Sequence, residues 1–372
     1  MALTSLRLFA ALMVVFLHLR GLKVITDGPA WFLKIASVGH VGVSFFFVLS
    51  GFVLVYTYAG HDLNRRVFWR ARFARIYPAY AFALVFSAPF FLLALNTFPF
   101  FAWASQHFTL ACLLVIGLLQ AWVPLAALSW SMVLWSLSVE AFFYLVFPLA
   151  LEPLSRRSPR VLLLIAAGCW AISLLVCSLY VWLKPDGDIA IANDYGTWLN
   201  VVKFNPLVRL PEFLVGMTTG FLFLKKRHEK QAALPAVALG LAAIAFAITF
   251  QQSIPFVILH TALVGPAFAA VLFGFALEPR WSRMLNAPIL VLLGDASYSL
   301  YLLHVPILIY FFYGTGRRRF ANPAGILAFF AIAFIASVLV YRFIEEPMRR
   351  RMNPGRASKL ALREVRETVP AA

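Results

Sequence analysis

The sequence predicts an all-α polytopic membrane protein, about ten transmembrane helices around a polar cavity, with one re-entrant segment. Three observations carry this. Of 372 residues, 62% are hydrophobic and only 13% charged, against about 45–50% and about 25% in soluble domains. The apolar residues fall in runs of about 20, the length that crosses a bilayer as a helix. The ten-residue alternation of a membrane β-barrel is absent, which leaves helices as the structure that satisfies its own backbone in lipid.

Taken in order, the predicted spans are 4–19, 39–59, 78–95, 129–151, 161–183, 207–224, 233–250, 255–277, 288–312 and 323–344. The first is expected to stay in the mature chain, since Leu19-Arg20-Gly21-Leu22-Lys23 follows it rather than a small-x-small cleavage pattern. The net charge of +17 is concentrated in short loops, as the positive-inside rule and anionic lipid headgroups require, and does not point to nucleic acid. Arg65 to Arg75, Arg156 to Arg160, Lys225 to Arg227, Arg280 to Arg283 and Arg349 to Arg351 are expected on the cytoplasmic side. Asp186, Asp188 and Asp194 are expected outside. Ten spans with both termini inside satisfy this alternation only if 107–123 does not cross, so 107–123 is expected to be re-entrant or interfacial. Arg317-Arg318-Arg319 is the exception, falling in an outside loop. Residues 1–352 form the expected membrane domain and 353–372 a short cytoplasmic tail. Cys112, Cys169 and Cys177 show neither metal-ligand nor disulfide spacing.

The polar residues inside these spans are the candidates for chemistry. Arg7 and His18 lie eleven residues apart, within about 20° of one helical face and about 16 Å apart in depth. Each ionisable group in hydrocarbon costs about 2.5–3.5 kcal/mol, so this stripe should face protein or water. Gly39, Gly42, Ser50 and Gly51 suit close helix packing. The stretch from Arg65 to Pro78, expected as a loop, holds five arginines in eleven residues; Arg72 and Arg75 at i and i+3 could grip a polyphosphate bidentately or simply anchor topology. Ser136, Glu140 and Tyr144 recur at i, i+4 and i+8. Arg209 and Glu212 suit a local ion pair, and Ser297, Tyr301 and His304 share a stripe. His40, His61, His107, His228 and His260 are expected at interfaces or in loops. Several polar stripes in several spans imply a polar interior cavity, which enzymes, transporters and channels share.

Six motifs occur in one order: Arg7 with His18, Ser50-Gly51-Phe52, Arg72-Phe-Ala-Arg75-Ile-Tyr-Pro78, Trp135-Ser-Leu-Ser-Val-Glu140, Ser297-Tyr-Ser-Leu-Tyr-Leu-Leu-His304 and Arg342-Phe-Ile-Glu345-Glu-Pro347. Together they resemble the acyltransferase-3 family of integral membrane O-acyltransferases, from residue 5 to about 350. One departure is Ser44, where many relatives carry an acidic or other polar residue. The resemblance implies ten helices in a bacterial inner membrane and transfer of an acyl group, commonly acetyl, from cytoplasmic acyl-CoA to a hydroxyl of a carbohydrate or lipid-linked glycan, without a metal. On that basis His18 would be general base or acyl carrier, Glu140 would orient it, and Arg7 would offset developing charge. Arg72 and Arg75 would hold CoA phosphates. Ser136, Tyr144, Arg209, Glu212, Ser297, Tyr301 and His304 would line the cavity. The rival reading is a transporter or flippase for a polar or lipid-linked substrate that uses the same stripes as its path, and a third is a non-catalytic glycan-assembly scaffold.

Overall fold

A computed structural model describes residues 2–98, 101–187, 196–277, 279–316 and 320–352. Asp188, Asp194, Arg317 to Arg319 and the expected tail 353–372 lie outside the described residues. Among the described residues ten helices are long and apolar enough to cross a membrane, and no strand occurs. The protein is an all-α integral membrane protein.

Helix α1 (Ala2–Gly21) is followed by the short α2 (Ala30–Ser37) and by α3 (Val41–Tyr58). Helix α4 runs from Arg65 to Ala94. It corrects the sequence expectation of a loop from Arg65 to Pro78: those arginines form the first turns of the span itself. Asn64 starts the helix by accepting a hydrogen bond from the Val67 amide, and the same device recurs at Ser158, Asn205 and Asn322, each followed by proline at the first helical position. Arg72 and Arg75 therefore do share a helical face.

Segment 102–134 does not cross. Helix α5 (Ala102–Gln106) is one turn, and α6 (Phe108–Ile116) has nine residues, about half of a bilayer span. The chain then returns to the end of the bundle it came from. Tyr80 donates to the Val115 carbonyl and the Gln120 amide to the Leu134 carbonyl, so backbone left unpaired by the missing helix is satisfied by protein, as irregular chain at membrane depth requires.

Helices α7 (Trp135–Ser155), α8 (Pro159–Leu183), α9 (Thr197–Phe204), α10 (Pro206–Lys226) and α11 (Ala233–Thr249) continue the alternation. The eighth span joins α12 (Phe256–Ile258) to α13 (Gly265–Ala276) through a π-helical turn, Leu259–Leu263. The ninth is broken at Ala296 into α14 (Pro288–Asp295) and α15 (Ser297–Thr315). The tenth, α16 (Pro323–Val340), passes through a second π turn, Tyr341–Glu345, into α17 (Glu346–Met352). Such turns widen a helix by one residue and re-aim the side chains they carry; here they carry His260 and Glu345.

Helix α3 is the axis of the bundle. A Cβ on Gly42 would meet the Ala10 carbonyl at 2.5 Å, and one on Gly216 would run into the backbone of Val48. Glycine at these crossings lets α3 lie against α1 on one side and α10 on the other at backbone distance. Helices α8, α11 and α16 sit at the rim, with Leu164, Leu239 and Leu327 among their exposed apolar residues.

Candidate active site

Two chambers in the interior, among the described residues, hold most of the polar side chains singled out by sequence. The larger, about 1260 Å³, is lined by His18, His40, Lys203, His260, Trp130 and Trp135 among others, and by residues 251–256. It lies at the end of the bundle where α1 finishes and α3 begins. The smaller, about 140 Å³, is lined by Arg7, Arg72, Arg75, Ser136, Glu140, Tyr144 and Tyr298, at the end that carries the cationic connections. Tyr301 lines both. Its hydroxyl lies 2.7 Å from Ser136 Oγ and donates to the Val133 carbonyl at 2.9 Å, which ties α15 to α7 at the boundary between the chambers.

His18 is paired with His304. His304 Nε2 lies 3.2 Å from His18 Nδ1. His18 Nδ1 is also 2.8 Å from the Val14 carbonyl, and His304 Nδ1 is 2.7 Å from the Tyr301 carbonyl. A carbonyl only accepts, so both Nδ1 atoms carry protons. His304 Nε2 is then a bare acceptor for the shared His18 Nδ1–H, and His18 Nε2 keeps its lone pair. That tautomer is the one a general base requires, with a second imidazole behind it to stabilise the positive charge once a proton is taken.

Glu140 is not the partner of His18. Its carboxylate accepts the Tyr144 hydroxyl at 2.5 Å in the smaller chamber, since residues one turn apart on α7 face each other. Arg7 also belongs to that chamber, where it interacts with the charges of Asp295 and Glu140. The α1 stripe thus serves two sites, one at each end, rather than one.

Arg72 donates to the Tyr58 hydroxyl at 3.3 Å and stacks over the rings of Tyr58, Phe68 and Tyr144 at 5.6–5.7 Å. These aromatic faces hold the guanidinium flat by cation–π contact. Arg75 is ion-paired with the buried Glu345, which Arg349 also approaches at 3.7 Å. It packs over Tyr298 at 5.4 Å, and Tyr298 in turn donates to the Ile76 carbonyl.

Four residues expected to line the cavity stand behind its walls. His304 is fully buried behind His18, and Ser297 is buried beside neither chamber. Arg209 and Glu212 form a buried ion pair at 2.9 Å. Arg209 also donates to Ser44 Oγ at 3.0 Å and to both Nδ1 and the carbonyl of His260. So Ser44, the departure from the family pattern, is a ligand of this arginine.

Three contributors escaped the sequence reading. His40 and His260, expected at interfaces, are 8% and 4% exposed and line the larger chamber. A π turn inside an apolar run hides the first clue to His260, and His40 precedes α3 at its entry. Glu345 lies within the Arg342 to Pro347 motif, where its pairing with Arg75 had no local signal.

Fold and site together define a polytopic membrane protein with a hydrogen-bonded histidine pair at one chamber and an arginine-lined pocket at another. The chain belongs to the acyltransferase-3 family, whose acyltransferase domain matches residues 2–342, and it is an acyltransferase. It is 32% identical over 366 residues to the acyltransferase MdmB of Streptomyces mycarofaciens, covering 94% of this chain and 91% of that protein. It is 26% identical to the putative peptidoglycan O-acetyltransferase YrhL of Bacillus subtilis and 25% identical to the O-acetyltransferase OatA of Staphylococcus aureus. Those alignments cover 93% and 94% of this chain but only 54% and 57% of the relatives. No solved structure matches the chain.

Proposed function

We propose that the protein is a bacterial inner-membrane O-acyltransferase that moves an acyl group, acetyl in the first instance, from cytoplasmic acyl-CoA to a hydroxyl of a carbohydrate or glycan acceptor. The observation that carries this is the pair of chambers meeting at Tyr301, a histidine base in one and arginines in the other. The termini and the cationic connections face the cytoplasm. Arg72, held between aromatic rings, binds CoA phosphates; Arg75, shared with Glu345, supports it. The thioester reaches past Tyr301 toward His18. His18 Nε2 takes the proton of the acceptor hydroxyl as its oxygen attacks the thioester carbonyl. The C–O bond forms, the C–S bond breaks, and the proton passes to the departing CoA thiolate. His304 Nε2 accepts the His18 Nδ1–H throughout and stabilises the transient imidazolium. The name of one relative, a putative peptidoglycan O-acetyltransferase, supports a carbohydrate acceptor.

The test is His18→Gln in purified protein, with acetyl transfer and acetyl-CoA binding measured separately. Gln hydrogen-bonds but takes no proton at neutral pH, so donor binding should persist while transfer falls about 10²–10⁴-fold. Substantial turnover by His18→Gln would remove this histidine from the chemistry. Protein that binds acetyl-CoA yet never yields free CoA and acylated product would favour a transporter.

A further inference from the structure

The larger chamber has a second polar pole. The imidazoles of His40 and His260 stack with centroids 5.0 Å apart and planes 15° apart. Arg209 donates to His260 Nδ1 at 3.3 Å. A ring nitrogen that accepts from a guanidinium is unprotonated, so His260 is neutral and its proton sits on Nε2. His40 Nε2 is buried and has no hydrogen-bond partner among the described residues, and an unpaired buried polar atom costs about 1–3 kcal/mol. A site that tolerates this cost awaits a ligand group. The pole is also close to the base. Gly39 packs its α-carbon on the Met13 carbonyl and on Leu17, the residue before His18. Trp135 and Phe204 flank the stack, with ring centroids 6.4 and 6.5 Å from His260.

We propose that the His40–His260 stack is the subsite that holds a second hydroxyl of the acceptor beside the one acylated at His18, and so selects which hydroxyl reacts. This rests on the larger chamber being the acceptor side. The chemistry favours a hydroxyl over a carboxylate or phosphate. A hydroxyl both donates and accepts, so one such group satisfies the His260 Nε2–H or the orphaned His40 nitrogen in either tautomer. Anions only accept. The aromatic flank suits the C–H face of a sugar ring, whose slightly positive hydrogens meet the negative ring face.

The experiment uses full-length protein in nanodiscs, with methyl β-D-glucopyranoside and its monodeoxy analogues as probes, bound ligand being read by saturation-transfer NMR. Wild type should bind one analogue about tenfold more weakly than the parent, a loss of about 1.4 kcal/mol. His40→Phe keeps the ring and its stacking but removes both nitrogens. It should bind the parent about tenfold more weakly and no longer distinguish that analogue. His40→Gln returns a polar atom to the ε position and should recover most of the binding. Acetyl-CoA binding in the same samples reports on folding; if His40→Phe loses it, His40→Leu is read on the same criteria. The subsite is overturned if the nitrogen-free variant binds the parent as wild type does, if it keeps the wild-type deoxy pattern, or if wild type does not bind the parent. The reading beneath it fails separately: glycoside binding that passes these tests without acetyl-CoA-dependent product leaves the subsite standing and removes the transferase step.

Discussion

At the scale of single residues, the hydrogen bonds around His18 assign roles that residue type alone does not. His304 accepts from His18 Nδ1 and lines neither chamber, so any part it takes in the proposed transfer runs through His18. His304→Phe should lower kcat about 10²-fold, the lower end of what a general base contributes, with the KM for acetyl-CoA unchanged. His304→Gln offers an amide oxygen near the same place and should recover part of the loss. Equal kcat for His304→Phe and wild type would dissolve the dyad. The two arginines part company in a similar way. Arg72→Lys removes the flat cation that three rings clamp and should raise the KM for acetyl-CoA several-fold at nearly constant kcat. Glu345 is fully buried against Arg75, and removing one partner of a buried pair costs about 3–5 kcal/mol. Glu345→Gln should therefore lower the thermal unfolding midpoint in detergent sharply. The double substitution Arg75→Gln with Glu345→Gln should restore part of it, and a double variant no more stable than the single would show the pair to be incidental.

At the scale of elements, close packing decides where these side chains meet. The span count was readable from run length and loop charge because bilayer thickness and headgroup charge act on every segment alike. The pairing of side chains was not, because it depends on which helices cross and at what distance. Arg7 and His18 share a face by periodicity, yet α1 is long enough to put them in different chambers. Glu140 was visible as a carboxylate within a span, but its hydrogen-bond partner Tyr144 is on its own helix. His260 and Glu345 are aimed by π turns, which no apolar pattern marks. Ser50-Gly51-Phe52 and the glycines before it, in contrast, did announce close packing. Gly216 faces the Val48 backbone across α3 and α10, so Gly216→Val must push the helices apart and should destabilise by about 1–3 kcal/mol. Because α10 also carries Arg209, acceptor affinity should weaken along with stability, whereas Gly168→Val, which meets nothing within 4 Å, should change neither. Thermal unfolding in detergent and glycoside binding on the two variants check this.

At the scale of the whole molecule, the chambers open toward opposite ends of one bundle. Arg70 lies on α4 at the end that holds the smaller chamber, and Gln252 lines the larger one. Ten crossings in alternation would place these two residues on opposite sides of a membrane, whichever side is cytoplasmic. After replacement of Cys112, Cys169 and Cys177, single cysteines at positions 70 and 252 should therefore label reciprocally with an impermeant thiol reagent in sealed cells. Position 252 should react from outside and position 70 only after the membrane is opened. Reaction of both from one side would break the ten-span topology and with it the separation of donor from acceptor. Function adds a stricter version. In proteoliposomes sorted by orientation, acetyl-CoA should support transfer only when supplied to the face bearing Arg70, and acylated product should accumulate only on the face bearing Gln252. A soluble-phase enzyme embedded for anchorage would show no such requirement. Product on the same side as the donor would mean that the thioester does not pass Tyr301, and that the acceptor enters through the arginine chamber.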